Sequence, residues 1–147
     1  MILTLAWLVL VLSLLAWIGQ LISLLAPKTA ERFGLTEPWD EVDPVFYADG
    51  RAECLWDSLT LWTLPLAAFL LILDNPFWIL WGFTGGGMYI YFAGRGIAQR
   101  ITMQLRDIDV GKIPALKTAF IFLALWGCCG MVMIALAFAS INRIYAP

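Results

Sequence analysis

Four long apolar stretches alternate with short turns and two polar segments along the chain. The first is Met1 to Ala26, 26 residues interrupted only by Thr4, Ser13, Gly19, Gln20 and Ser23. About 20 such residues suffice for a helix to cross the hydrocarbon of a bilayer. A signal peptide would need a basic head, a shorter apolar core and a small-residue cleavage site. No Lys or Arg precedes Lys28, so the run reads as a retained first span. Further spans are expected at 54–73, 76–98 and 114–138, with polar loops at 27–53 and 99–113. The pattern therefore predicts an all-α polytopic membrane protein: one membrane domain over 1–147, built as an antiparallel bundle of four transmembrane helices.

Local signals place the boundaries. Pro27 ends the first helix, and Thr29 to Phe33 can form one short interfacial turn stopped at Gly34. Asp43 followed by Pro44 is a helix start, a capping carboxylate and then proline at the first helical position. Gly50 weakens the helix that follows, which either breaks there or runs on through Arg51. Pro65 should kink the second span, with Thr60 and Thr63 close enough to satisfy freed carbonyls. The turn Asp74-Asn75-Pro76 is so short that the second and third spans must be antiparallel neighbours. Small residues recur in the last two spans: Gly82, Gly85, Gly86 and Gly87, then Gly127 and Gly130 around Cys128 and Cys129. Gly82 and Gly86 form a small-xxx-small pair, so these glycines are expected to serve helix packing or self-association. The segment Gln99 to Lys112 mixes charges with Ile101, Met103, Leu105, Ile108 and Val110 and is expected to lie on the membrane surface.

Composition agrees with this reading and narrows the chemistry. The chain is 62% hydrophobic and 14% charged, with a mean hydropathy of +0.84. A soluble domain is nearer half apolar and a quarter charged, so lipid must solvate much of the surface. No histidine is present, which removes the commonest general base and the commonest transition-metal ligand. Cys54, Cys128 and Cys129 are odd in number and offer no CxxC, so they read as small buried thiols and not as a disulfide framework or metal site. The acids Glu37, Asp40, Glu41 and Asp43 lack the alternate spacing of a calcium loop and read as a solvated acidic loop. There is no long basic run for nucleic acid. Lys28, Arg32, Arg51, Arg95, Arg100, Arg106, Lys112 and Lys117 lie in or beside the two large loops, against Arg143 alone on the other side. The positive-inside rule puts both loops in the cytoplasm and both termini on the non-cytoplasmic side.

Ionisable groups at the mouth of an apolar span are the candidate site. Asp49, Glu53 and Asp57 recur every four residues and share one helix face. Asp57 lies roughly 24 Å before Leu73, and Arg95 roughly 28 Å beyond Pro76, at 1.5 Å per helical residue. Across a tight turn the two reach nearly the same depth, so Arg95 is the expected partner of Asp57 or Glu53. Glu53, Asp57, Thr60 and Arg95 then form either a polar pocket open to the cytoplasm or an ion pair that sets helix register. Trp56 and Trp62 flank the acidic face; the other tryptophans, Trp7, Trp17, Trp39, Trp78, Trp81 and Trp126, read mostly as lipid-facing or belt residues.

One further pattern bears on class. Phe33-Gly34-Leu35 after a first span, Arg51-Ala52 at the head of a second, Gly94-Arg95 near the end of a third and then a fourth span resemble the DoxX-like group of small bacterial four-helix membrane proteins. The chain departs from that pattern in its long Glu37–Asp49 loop and in Glu53-Cys54-Leu55-Trp56-Asp57, where small glycines often follow Arg-Ala. The resemblance implies a four-helix architecture in the bacterial inner membrane, and some members of the group are associated with quinone or thiol redox systems. The leading expectation is a non-enzymatic subunit or assembly partner of a larger membrane complex, or a homo-oligomer, holding no cofactor in this chain. The alternative is a ligand-binding or redox-accessory protein that takes a quinone or lipid head group at Glu53, Asp57 and Arg95. A transporter would need polar residues at mid-depth on several spans, which the first and fourth do not supply.

Overall fold

The structure, a computed structural model, describes residues 2–145. Met1 of the first expected span and Ala146 and Pro147 of the expected tail lie outside the described residues, as does the side chain of Arg143. The fold is all-α: α1 (Ile2–Leu25), α2 (Pro27–Arg32), α3 (Pro44–Thr60), α4 (Thr63–Ile72), α5 (Trp78–Gln104) and α6 (Ile113–Tyr145). The rods α1, α3–α4, α5 and α6 pack side by side in chain order, and α6 closes back on α1.

The helix boundaries follow local chemistry. Asp43 caps α3 through its side chain, which accepts from Val45 N at 2.8 Å, with Pro44 at the first position. Gly50 does not break α3. The break falls at Leu61–Trp62 instead, ahead of Pro65, which has no N–H for the carbonyl four residues back. There the carbonyls of Leu59 and Thr60 accept from the Trp62 indole (2.9 Å) and the Thr63 hydroxyl (2.7 Å). Gly34 ends the short α2 with φ +66. Both outer helices outrun the expected spans: α5 continues through Gln104 into the predicted loop, and α6 reaches Tyr145 through the predicted tail.

The surface is inverted relative to a soluble bundle. On α1 the buried positions are Ala6, Val9, Ser13, Ala16 and Ser23, all small or medium. The exposed positions include Leu3, Trp7, Leu8, Val11, Leu15 and Ile18. Large apolar side chains outside and small ones at helix contacts are the packing of a membrane protein. Three helices are long and apolar enough to cross a bilayer: Ile2–Leu25, Pro44–Ile72 and Ile113–Asn142. The expected span at 76–98 is not among them, because the glycines, aromatics and Arg95 of α5 lower its hydropathy.

Three consecutive glycines serve three directions, since successive helical residues are about 100° apart. A Cβ on Gly85 would lie 2.6 Å from the Leu64 backbone in α4. One on Gly86 would lie 2.7 Å from the Gly130 carbonyl oxygen, and one on Gly130 would lie 2.6 Å from that of Gly86. Gly127 faces the Ala93 methyl in the same seam, whereas a Cβ on Gly87 would meet nothing within 4 Å. Gly82, expected to pair with Gly86 in close packing, makes only ordinary contact with Ala137 at 3.5 Å. Heptad spacing along α6 repeats the seam at Leu116, Leu123, Gly130 and Ala137.

The two large loops meet at one end of the bundle. Asp43 N donates to Asp109 O at 2.9 Å, Lys112 pairs with Glu41 at 2.7 Å, and Val42, Phe46, Val110 and Leu116 form a small second core. The segment 105–112 thus packs on the first loop, where Val110 finds a buried protein contact, while Ile101 and Leu105 stay exposed. Gly85→Ala and Gly86→Ala should each destabilise the detergent-solubilised fold by about 1–3 kcal/mol, as overpacking of a tight core does, measured by thermal unfolding; Gly82→Ala should cost little.

Candidate functional site

Arg95, on α5 close to the loop end, is the centre of a polar cluster. Its Nη2 donates to Asp49 Oδ2 at 2.9 Å, and its Nη1 lies 2.6 Å from Glu53 Oε1. The Glu53 contact is off the N–H axis, a charge contact more than an aligned hydrogen bond. Gln99, one turn beyond Arg95, donates through Nε2 to the same Asp49 oxygen. The guanidinium thus spans the two acids nearest the loops. Asp57 is not its partner: no Lys or Arg nitrogen among the described residues lies within salt-bridge distance of it. Of the two expected partners, Glu53 is the one that Arg95 meets, and Asp49 takes the other end of the fork in place of Asp57.

Asp57 is 4% exposed, and its Oδ2 finds no hydrogen-bond partner among the described residues. It lines an open groove between α3 and α5, about 270 Å³, with Ala52, Glu53, Trp56, Tyr91 and Arg95. Thr60 does not join this site; its hydroxyl bonds back to the Trp56 carbonyl at 3.0 Å within its own helix. Trp56 forms a wall of the groove, whereas Trp62 packs on Trp81 with ring centroids 5.2 Å apart.

Glu53 also borders a second cavity, of about 80 Å³, under the first loop, together with Gln20, Phe46, Arg51 and Arg100. Gln20 Oε1 and Arg100 Nε are buried there without partners among the described residues, a polar space with room for about two waters. Arg100 lies over the Phe46 ring, 5.4 Å from its centroid. Arg51 serves a different end. It donates to the carbonyls of Ser23 and, at 3.0 Å, Leu24, the last turn of α1. Pro27 has no N–H for the Ser23 carbonyl, so the guanidinium supplies the missing donor and a favourable charge at a helix C-terminus.

Several tryptophans read as lipid-facing are structural. Trp17 donates to the Ser58 carbonyl at 2.9 Å and Trp126 to the Leu12 carbonyl at 3.0 Å, while Trp78 is buried. Tyr89, fully buried at the bundle centre, donates to the Ser13 carbonyl at 2.6 Å and joins α5 to α1. Of the thiols, Cys54 and Cys129 are buried and Cys128 is exposed, which corrects the expectation that all three are buried. Among the described residues no three His, Cys, Asp or Glu side chains converge as metal ligands.

The parts that composition and spacing did not single out are Gln99 and the direct role of Asp49. Both were on correct faces, since Gln99 follows Arg95 by four residues and Asp49 precedes Glu53 by four. The capping role of Arg51 depends on a contact 28 residues away and leaves no local signal.

The inverted surface and the three long apolar helices define a small all-α integral membrane protein. Comparison with known protein families, with curated proteins and with solved structures finds no match for the chain.

Arg95→Met should destabilise the protein by about 2–3 kcal/mol, because Glu53 is left largely buried without its counter-charge. Adding Glu53→Gln should recover most of that loss, whereas Asp49→Asn alone should cost less than about 1 kcal/mol, its carboxylate being partly solvated. Thermal unfolding in detergent of the single and double variants measures the coupling directly.

Proposed function

We propose that the chain is a four-span protein of the bacterial inner membrane, of DoxX-like layout, that works without chemistry of its own as a subunit or assembly partner of a membrane complex or as a homo-oligomer. One observation carries this reading. The exposed positions of α5 from 80 to 98 are Leu80, Thr84, Gly87, Ile90, Tyr91, Gly94 and Ala98, among which Thr84, Gly87, Tyr91, Gly94 and Ala98 form one stripe at alternating spacings of three and four. A Cβ added at Gly87 or Gly94 would meet nothing within 4 Å. Where α1 turns Leu, Val and Trp towards lipid, α5 sets Thr84, Gly87, Gly94 and Ala98 among its larger exposed residues Leu80, Ile90 and Tyr91. Lipid gains little from such a face, but a second helix gains close backbone approach along it. The glycines and Thr84 of this face also lower the hydropathy of α5.

Orientation follows the basic residues. The two large loops share one end of the bundle and carry most of the Lys and Arg, which supports a cytoplasmic loop end with both termini on the opposite side.

A second reading, a ligand-binding or redox-accessory role on a quinone or lipid head group at Glu53, Asp57 and Arg95, is favoured by the unpartnered Asp57 carboxylate oxygen in the α3–α5 groove.

Purification of the tagged full-length chain from its native membrane in mild detergent should give a particle heavier than one 16.4 kDa copy plus detergent. Gly87→Leu and Gly94→Leu should reduce that particle to a monomer while changing unfolding stability by only about 0.5 kcal/mol, as exposed sites with free space do. A wild-type particle that is strictly monomeric and carries no other chain would overturn the subunit reading.

A further inference from the structure

We infer that the α3–α5 groove binds a protonated amine carried on an apolar body, its ammonium held by Asp57 between the rings of Trp56 and Tyr91. This deepens the second reading above and rests on it. Asp57 is more than nine-tenths buried, borders the groove, and has an oxygen with no donor among the described residues. A buried carboxylate without a donor is costly unless something supplies one. The obvious internal counter-charge faces elsewhere: Arg95 Nη2 donates to Asp49 and Nη1 lies in charge contact with Glu53, and neither is within salt-bridge distance of Asp57.

The sign of the site follows from the same contacts. Asp49, Glu53 and Asp57 stand against a single guanidinium in the cluster. A ligand that presents acceptors, such as a quinone carbonyl or a phosphate, meets two carboxylates here against one guanidinium that already faces Glu53. A ligand that presents N–H donors and positive charge meets complementary groups. The walls add to this. Trp56 and Tyr91 are 57% and 56% exposed at the mouth of the groove, and aromatic faces attract an ammonium as well as the methylenes attached to it. A volume of about 270 Å³ holds an amine head and a few carbons, and the groove is open for the remaining chain to leave it.

The ammonium can come from a membrane lipid, as a primary-amine head group, or from a free lipophilic amine. Octylammonium chloride is the probe. It is titrated against the full-length protein in phosphatidylcholine vesicles by intrinsic tryptophan fluorescence, with octanol as the neutral comparison and Asp57→Asn as the variant. The wild type should bind octylammonium saturably, octanol about tenfold more weakly, and Asp57→Asn should lose about tenfold in octylammonium affinity, as expected for removal of a charge-assisted hydrogen bond. Trp56→Leu should weaken binding several-fold while leaving the Arg95 cluster intact. Repeating the titration in vesicles containing phosphatidylethanolamine separates the sources: competition assigns the site to the lipid amine, and unchanged affinity assigns it to a free amine. Octanol binding as tightly as octylammonium would overturn the ammonium assignment and leave a ligand groove standing. Saturable binding of neither probe would overturn both. The octanol comparison uses only wild-type protein, so it decides the point even if Asp57→Asn does not fold.

Discussion

Below the surface of a bilayer no water is at hand for an open carbonyl, and this protein is organised around that constraint. Its helices are interrupted at Pro27 and at Leu61–Trp62, and at each place donors from side chains complete the backbone. Arg51 reaches from α3 to the end of α1, and Trp62 and Thr63 close the gap before Pro65. The same economy joins the helices to one another. Trp17, Tyr89 and Trp126 each donate to a main-chain carbonyl of a neighbouring rod, so the polar tips of large aromatics act as cross-links where hydrophobic attraction between helices is weak.

Charge follows the same logic with one exception. Arg95 sits where α5 leaves the apolar zone and is enclosed by Asp49, Glu53 and Gln99. An arginine suits this place because its planar fork can serve two carboxylates at once. Asp57, one turn deeper, is left outside the arrangement yet remains buried. Among the described residues its Oδ2 shares that lack of a partner with Gln20 Oε1, Gln99 Oε1, Arg95 Nη1 and Arg100 Nε, all of them buried at the loop end of the bundle.

Packing and function meet on α5. One side of it is pressed against α4 at Gly85, another against α6 at Gly86, and its outer side carries the unfilled positions Gly87 and Gly94. A single glycine-rich stretch therefore holds the bundle together and leaves room beside its outer side, the basis of the proposed helix contact. Tyr91 lies on that face and also borders the Asp57 groove, so a partner helix and a groove ligand would be neighbours.

Much of the architecture was legible in the chain. Apolar length sets the membrane class, Asp43-Pro44 caps α3, Gly34 ends α2, and the Asp74 turn makes α4 and α5 neighbours, because each depends on residues within a few positions of one another. The acidic face and its link to Arg95 were also legible, from helical periodicity and rise. Rotation and contact were not. Which acids Arg95 grips, which of three adjacent glycines meets α4 or α6, and why Thr60 turns back on its own helix depend on how each rod is rolled against its neighbours. Periodicity defines a face but carries no information about what stands opposite it. The packed bundle supplied that, and with it the pairing of Asp49 and Glu53, the cap from Arg51 and the isolation of Asp57.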